Sequence, residues 1–125
     1  MARLVISEDA GAQDMAPIAL AVNALLGLPT TMRSANSFGV RVENGKVLDD
    51  KYTGPVLEEV LRTEKTIRTI PNSGVYSGIP VLVAPIMVEG KAIAAIGVVD
   101  VLGNVDLHDI FGGYSNVVKQ VSKGR

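Results

Sequence analysis

The chain has 125 residues, 47% of them apolar, with 12 Lys and Arg against 13 Asp and Glu, for a formal net charge of -1. This length predicts a single domain over residues 1–125. The balanced charge gives no reason to expect nucleic acid or an anionic membrane as a partner. The absence of cysteine excludes disulfides and thiolate metal sites, and it fits a reducing cytoplasm.

Nothing in the sequence predicts insertion into a membrane or secretion. No apolar run reaches the roughly 18 residues that a transmembrane helix needs. The amino-terminal stretch is short and acidic at Glu8 and Asp9, which is unlike a secretion signal. We therefore expect a cytoplasmic protein. Its core is aliphatic, because the chain contains no tryptophan, two phenylalanines and three tyrosines.

The first predicted helix covers about Asp14 to Leu26, where apolar side chains recur at helical spacing. Asp14 is a possible cap, and Pro17 is acceptable only inside the first turn. Gly27 followed by Pro29 predicts the end of this helix.

Two further helices are predicted. One opens at Thr53–Pro55, with proline in its first turn, and ends between Thr63 and Lys65. The other is capped by Asn104 or Asp106, and Gly112–Gly113 in its middle indicates either close packing or a break. The apolar residues of this last helix keep i, i+3, i+4, i+7 spacing; they are Leu107, Ile110, Phe111, Tyr114, Val117, Val118 and Val121.

Short strands are predicted between these helices. Thr30–Ser34 and Thr66–Ile70 alternate and carry β-branched residues. Phe38–Glu43 and Lys46–Asp49 flank Asn44–Gly45, the preferred pair for a type I′ hairpin turn.

A second, more apolar hairpin organises the chain. Ile79–Val88 and Ala92–Val101 are joined by Glu89–Lys91, and both runs are apolar on both alternating faces. Such strands must be covered on both faces, so we expect them at the centre of a sheet. Pro85 cannot donate to a strand ladder and indicates an edge or a bulge. An apolar edge here would favour pairing with a second chain.

The element order, α-β-β(β)-α-β-β-β-α, predicts an α+β fold with a central antiparallel sheet of five or six strands and helices packed on it. This order resembles GAF-like, profilin-like and longin-like domains. An apolar hairpin ending in GVVD is also typical of ligand-sensing domains, where it lines a small-molecule pocket.

Three segments carry a closer resemblance. SEDAGAQDMAPIALAVNALLGLPTTMRS, GVRVENGKVLDDKYTGPVLEEVL and GIPVLVAPIMVEGKAIAAIGVVDV resemble an uncharacterised domain family of methanogenic archaea. The resemblance implies an archaeal lineage and a cytoplasmic location. It carries no catalytic, ligand-binding or metal-binding residue across.

One candidate ligand site surrounds the loop between the first two strands. If these strands pair, the guanidinium groups of Arg33 and Arg41 reach one anion or carboxylate. Ser34, Asn36 and Ser37 would add neutral hydrogen bonds. The alternative is two solvated arginines on the outer face of the sheet.

Other candidate residues flank the apolar hairpin. Tyr76 and Ser77 carry hydroxyl groups beside Gly78, which permits close approach of a ligand; the alternative is an ordinary loop. Asp100 ends an uncharged run and must be paired, hydrogen-bonded or at the end of the sheet. It caps the following turn or helix, or it binds a ligand or a partner arginine.

The sequence contains no signature of catalysis. It has no phosphate-binding glycine loop, and His108 is its one histidine, so neither a metal site nor a nucleophile-base pair is predicted. No cofactor can be named. We expect a non-catalytic regulatory domain that binds a small anionic or polar metabolite and forms a homodimer. The alternative is a homodimeric protein-interaction scaffold of longin-like or profilin-like type.

Overall fold

The computed structural model describes residues 2–100 of the chain. Its elements are α1 (Ala12–Leu26), β1 (Thr30–Ser34), β2 (Gly39–Glu43), β3 (Lys46–Tyr52), α2 (Pro55–Thr63), β4 (Ile67–Thr69), β5 (Val81–Val88) and β6 (Lys91–Val99). The strands form one antiparallel sheet in the order β3-β2-β1-β6-β5-β4. The predicted α+β class is confirmed, and so is the predicted element order from α1 to β6, as far as the described residues extend. The predicted carboxyl-terminal helix, with His108 and Gly112–Gly113, lies outside the described residues.

The sheet consists of two three-stranded halves that meet at the pair β1 and β6. Thr30 lies opposite Val98 and Ser34 lies opposite Ala94, so the whole of β1 is matched by β6. Every residue of β1 is buried. The junction of the two halves is therefore the centre of the sheet, as expected for the second strand of the apolar hairpin.

Both long hairpins turn in two residues. Asn44 and Gly45 have φ values of 52° and 75°, and Glu89 and Gly90 have 52° and 77°. Positive φ at both central residues is the type I′ pattern predicted for the Asn-Gly pair. The second connection is shorter than predicted, because Lys91 already belongs to β6. Likewise β5 begins at Val81 rather than at Ile79, since the Ile79 N–H donates to the Tyr76 carbonyl within a turn.

Helix α1 begins two residues before the predicted start. Gly11 is the residue before the helix, and its N–H donates to Asp14 Oδ2 at 3.0 Å, so Asp14 acts from within the first turn rather than as the cap. Pro17 consequently lies beyond the first turn, where its ring nitrogen cannot donate to the Gln13 carbonyl. Both Gln13 and Pro17 are exposed, so water can reach that carbonyl.

Each face of the sheet is covered by one of these helices, and each helix covers about half of its face. Helix α1 packs on β1, β2 and β3, whereas α2 packs on β5 and β6 on the opposite face. The α1 cluster contains Met15, Ala19, Met32, Val40 and Val42. The α2 cluster contains Tyr52, Leu57, Val60, Tyr76, Val81, Val83, Ala95 and Val99. Neither described helix has the length and hydropathy to cross a membrane.

A buried amide ties the α1 half together. The Asn23 side chain is 5% exposed; its Nδ2 donates to the Leu28 carbonyl at 2.8 Å, and its Oδ1 accepts from the Gly45 N–H at 2.8 Å. One side chain thus joins the end of α1, the start of β1 and the turn between β2 and β3.

We expect Asn23→Ala to lower the free energy of unfolding by about 2 kcal/mol, because two backbone groups lose their partner in a part-buried place. Urea denaturation followed by circular dichroism measures this change. Asn72→Ala is the matched control, since Asn72 is exposed, and it should change stability by less than about 0.5 kcal/mol. Equal effects of the two substitutions would contradict the structural role of Asn23.

Candidate functional site

A pocket opens on the α2 face of the sheet, between β6, the start of α2 and the loop of residues 70–80. We call it the α2-side pocket. Its walls are formed by Pro29, Thr31, Tyr52, Gly54, Pro55, Val56, Leu57, Pro71, Ser73, Val75, Tyr76, Val81, Val83, Gly97, Val98 and Val99. Most of this surface is apolar, and the hydroxyl groups of Thr31, Tyr52, Ser73 and Tyr76 are its polar side-chain groups.

The pocket is narrow in this conformation. The volume available to the centres of water molecules is about 30 Å³, which is enough for about two waters. The volume of the pocket including its open mouth is about 390 Å³. Gly97 lines the pocket, and Val83 and Thr31 pack closely against it. A Cβ there would lie 2.7 Å from Val83 Cγ2 and 3.1 Å from Thr31 Oγ1. A ligand larger than water therefore requires the outer wall to move.

The outer wall is the loop of residues 70–80, which contains turns but neither helix nor strand. The Gly78 N–H donates to the Pro71 carbonyl at 2.8 Å, which closes the loop at its base. Val75 at its tip is 55% exposed, whereas Tyr76 is 9% exposed. The Tyr76 side chain thus anchors an otherwise superficial loop.

The anchor of Tyr76 is a charged pair on β2. The Tyr76 hydroxyl donates to Glu43 Oε2 at 2.9 Å, and Arg41 Nη1 donates to the same oxygen at 2.7 Å. Burial raises the pKa of the Tyr76 phenol well above its usual value, and the hydrogen bond to Glu43 raises the pKa further. Burial also raises the pKa of Tyr52, while the charge of Arg41 opposes that increase. Both phenols are therefore neutral hydrogen-bonding groups near neutral pH.

Arg33 is engaged elsewhere, between the loop that follows β1 and the start of α2. Its Nε donates to the Ser34 carbonyl at 2.9 Å, its Nη1 to Thr53 Oγ1 at 2.8 Å and its Nη2 to the Ala35 carbonyl at 3.2 Å. Its guanidinium carbon lies 5.4 Å from the centre of the Phe38 ring, within cation–π range. Arg33 thereby holds this loop against α2.

The two predicted arginines lie in paired strands, as the sequence argument required, yet they bind different carboxylates. Arg33 Nη1 is 3.7 Å from Glu58 Oε2, whereas Arg41 Nη1 is 2.7 Å from Glu43 Oε2. The two guanidinium groups do not share an acidic partner within residues 2–100.

The polar loop that was predicted to assist the arginines makes hydrogen bonds within itself and to the amino-terminal segment. Ser34 Oγ accepts from the Ser37 N–H at 3.1 Å. Asn36 Nδ2 donates to Asp9 Oδ1 at 2.8 Å, and the Asn36 N–H donates to the Glu8 carbonyl at 2.9 Å. Ser77, by contrast, is exposed on the loop above the pocket.

Asp100 lies at the end of the sheet and has a partner arginine, one of the two alternatives drawn from the sequence. Its Oδ2 is 2.7 Å from Nε of Arg68 on β4, and its N–H donates to the Pro80 carbonyl at 2.7 Å. The Asp100 side chain is 7% exposed and the Arg68 side chain 64%, so the pair joins a buried carboxylate to a surface cation.

The predicted residues thus lie in three places. One group surrounds the loop after β1, a second consists of Arg41 with the loop residues Tyr76 and Ser77, and Asp100 lies apart at the end of β6. The α2-side pocket is next to the second group. Sequence reasoning missed Glu43, Thr31 and Tyr52. The sequence does place Glu43 on the same face of β2 as Arg41, because the two residues are two positions apart in a strand, but it does not single out Glu43 as a site residue. In the part of the chain that the structure describes, no group of three or more histidine or acidic side chains is placed to hold a metal ion.

Comparison with known proteins identifies the family to which this chain is related. A family model described as "Uncharacterized protein conserved in archaea (DUF2111)" matches residues 22–102, which include all six strands and α2. A Methanocaldococcus jannaschii protein, "Uncharacterized protein MJ0405", is 43% identical over 103 residues, covering 82% of this chain and 79% of that protein. No solved structure matches the chain. The chain therefore belongs to this archaeal family.

Proposed function

We propose that this chain is a small-molecule-binding regulatory domain and that its ligand occupies the α2-side pocket. The observation that carries the proposal is the position of Tyr76, which is buried in the wall of an apolar pocket and bonded behind that wall to the part-buried pair of Glu43 and Arg41. Concave, mostly apolar sites with a few placed polar groups are typical of small-molecule binding.

The chemistry of the walls supports a small polar metabolite with a compact apolar body. Valine and proline side chains would contact that body, and the hydroxyl groups of Thr31 and Tyr52 would bind one polar or anionic group. Because Arg41 is already paired with Glu43, it would contribute a positive field near Tyr52 rather than a direct ion pair.

Access to the pocket depends on the loop of residues 70–80. Its exposed tip at Val75 has no place in either helix or strand, so outward movement of the tip breaks few contacts. Tyr76, which directly follows the tip, holds the loop on β2. Ligand binding would therefore change the position of the tip and leave the sheet in place, a non-catalytic response suited to a cytoplasmic regulator.

A thermal-shift screen of small anionic and polar metabolites tests the proposal. A binding metabolite at about 100 times its Kd adds about 2.7 kcal/mol, so we expect the Tm to rise by at least about 4 °C. Thr31→Val removes one pocket hydroxyl with little change of shape and should weaken binding by about tenfold.

The matched control is Thr69→Val on the exposed part of β4, which should bind the metabolite as the native chain does. A panel in which no compound raises the Tm would overturn the proposal. So would a metabolite that binds Thr31→Val and the native chain equally.

The Tyr76 anchor predicts a specific dependence on pH. The folded chain keeps the Tyr76 phenol neutral, whereas the unfolded chain ionises it near pH 10.0. Above that pH, ionisation of the phenol stabilises the unfolded state. The contribution of Tyr76 to the free energy of unfolding is therefore complete below pH 10.0 and is lost as the pH rises further.

Tyr76→Phe should therefore be less stable than the native chain by about 1.5 kcal/mol or more at about pH 8, and the difference should shrink towards about pH 11. Urea denaturation across this pH range measures the difference. A difference that stays constant with pH would show that Tyr76 does not anchor the loop through a neutral phenol.

A homodimeric protein-interaction scaffold is the second candidate function. It is supported by the outer end of β5. Within residues 2–100, β4 pairs only with Val81–Val83, so the β4 side of Ala84–Val88 has no strand partner there. Met87 and Val88 are 45% and 46% exposed. An apolar strand edge of this kind favours pairing with another chain.

Native mass spectrometry tests this second candidate. A chain that pairs through the β5 edge should appear as a dimer, and Met87→Lys with Val88→Lys should convert it to a monomer. Val47→Lys with Leu48→Lys on the opposite edge strand β3 is the matched control and should remain dimeric. A native chain that is monomeric at micromolar concentration would contradict the scaffold.

A further inference from the structure

The two type I′ turns of the sheet have nearly the same backbone and differ in one contact. Asn44 and Gly45 join β2 to β3, and Glu89 and Gly90 join β5 to β6, with matching positive φ values. Both turns are exposed, and a Cβ on either glycine would have no neighbour within 4 Å. The Gly45 N–H, however, donates to Asn23 Oδ1 at 2.8 Å, whereas no side chain accepts from the Gly90 N–H within residues 2–100.

An asparagine that precedes a glycine can modify itself. The backbone nitrogen of the glycine loses its proton to solvent and attacks the side-chain carbonyl carbon of the asparagine. A new C–N bond closes a succinimide ring, the bond from that carbon to Nδ2 breaks, and the side-chain nitrogen takes up a proton and leaves as ammonia. Water then opens the ring and yields aspartate or isoaspartate. Glycine permits the attack most readily, because it has no side chain to hinder the approach.

Asn44–Gly45 is therefore a candidate modification site, and the contact with Asn23 acts on its nucleophile. The attacking atom would be the Gly45 nitrogen, and its N–H is the donor in the bond to Asn23 Oδ1. Loss of that proton requires this hydrogen bond to break first. The equivalent nitrogen of Gly90 has no such restraint, so the restraint is not a property of the turn itself.

We infer that Asn23 protects Asn44–Gly45 from deamidation in the folded chain. The acceptor is held in position, because Asn23 is 5% exposed and its Nδ2 donates to the Leu28 carbonyl at 2.8 Å. That second bond fixes the orientation of the amide and directs Oδ1 at the turn. The site is protected while the end of α1 stays folded, and local opening of this end removes the protection.

Modification at this site would reach the contact of Tyr76 with the sheet. Isoaspartate adds one carbon to the backbone of a turn that closes in two residues, next to the pair of Glu43 and Lys46. Glu43 directly precedes Asn44, and its Oε2 accepts from the Tyr76 hydroxyl at 2.9 Å. The protection therefore preserves the position of the Glu43 carboxylate, whether or not the pocket binds a ligand.

Glu89→Asn tests the inference within one molecule. The substitution gives the second turn the same residue pair as the first, and asparagine tolerates positive φ better than glutamate does. The full chain is incubated at mildly alkaline pH, and peptide mapping by mass spectrometry follows deamidation at both turns. We expect deamidation at position 89 to be at least about fivefold faster than at Asn44, the effect of one ordinary hydrogen bond. Equal rates at the two turns would overturn the inference.

Asn23→Ala in the same Glu89→Asn chain removes the acceptor. Deamidation at Asn44 should then accelerate by at least about fivefold and approach the rate at position 89. Val60→Ala is the matched control, because Val60 is 0% exposed in the α2 cluster and its truncation lowers stability on the opposite face of the sheet. This control should leave the ratio of the two rates unchanged.

The control separates loss of the acceptor from loss of stability. Acceleration at Asn44 that is equal in Val60→Ala and Asn23→Ala would contradict the inference, since global unfolding would then expose the site. If Asn23→Ala does not fold, the two turns of the Glu89→Asn chain decide alone. Slower deamidation at Asn44 than at position 89 supports protection by Asn23, and equal deamidation excludes it.

Discussion

The pairing of β1 with β6 is the interaction on which the rest of the structure depends. Their paired residues lie 60 to 68 positions apart in sequence, yet Thr30–Ser34 is matched along its full length. The match joins a half-sheet carrying α1 to a half-sheet carrying α2. Small residues make it possible, because Ala94 and Ala95 are fully buried and a side chain at Gly97 would meet Val83 and Thr31. Strand pairing over such a sequence separation is intrinsically slow, so it lowers the rate of folding.

Gly39 imposes a second constraint on the same junction. A Cβ at this position would overlap the Met32 carbonyl oxygen, so β2 can approach β1 at its outer end only with glycine there. The close approach places Arg41 opposite Thr31 on the α2 face. Close packing of the β1 and β2 backbones therefore determines the geometry of the candidate site. It also fixes the positions of the polar side chains on β2.

Periodicity was sufficient to predict most of the fold. The apolar hairpin, the Asn44–Gly45 turn and both described helices were placed to within about two residues, because each has a strong local signal. The site was less predictable. Asn23 lies within an apolar helix, and its two partners, Leu28 and Gly45, come together only after the sheet forms. The contact of Tyr76 with Glu43 spans 33 positions and has no local signal.

The α2-side pocket has one stiff wall and one soft wall. Val99 is held by the Pro29 carbonyl and its neighbour Asp100 by the Pro80 carbonyl, so the β6 wall is fastened from both sides. The opposite wall is the exposed tip at Val75. A ligand would contact a rigid wall formed by the sheet and an adaptable rim formed by the loop. Shape discrimination would then reside in β6, and tolerance of differing lengths would reside in the rim.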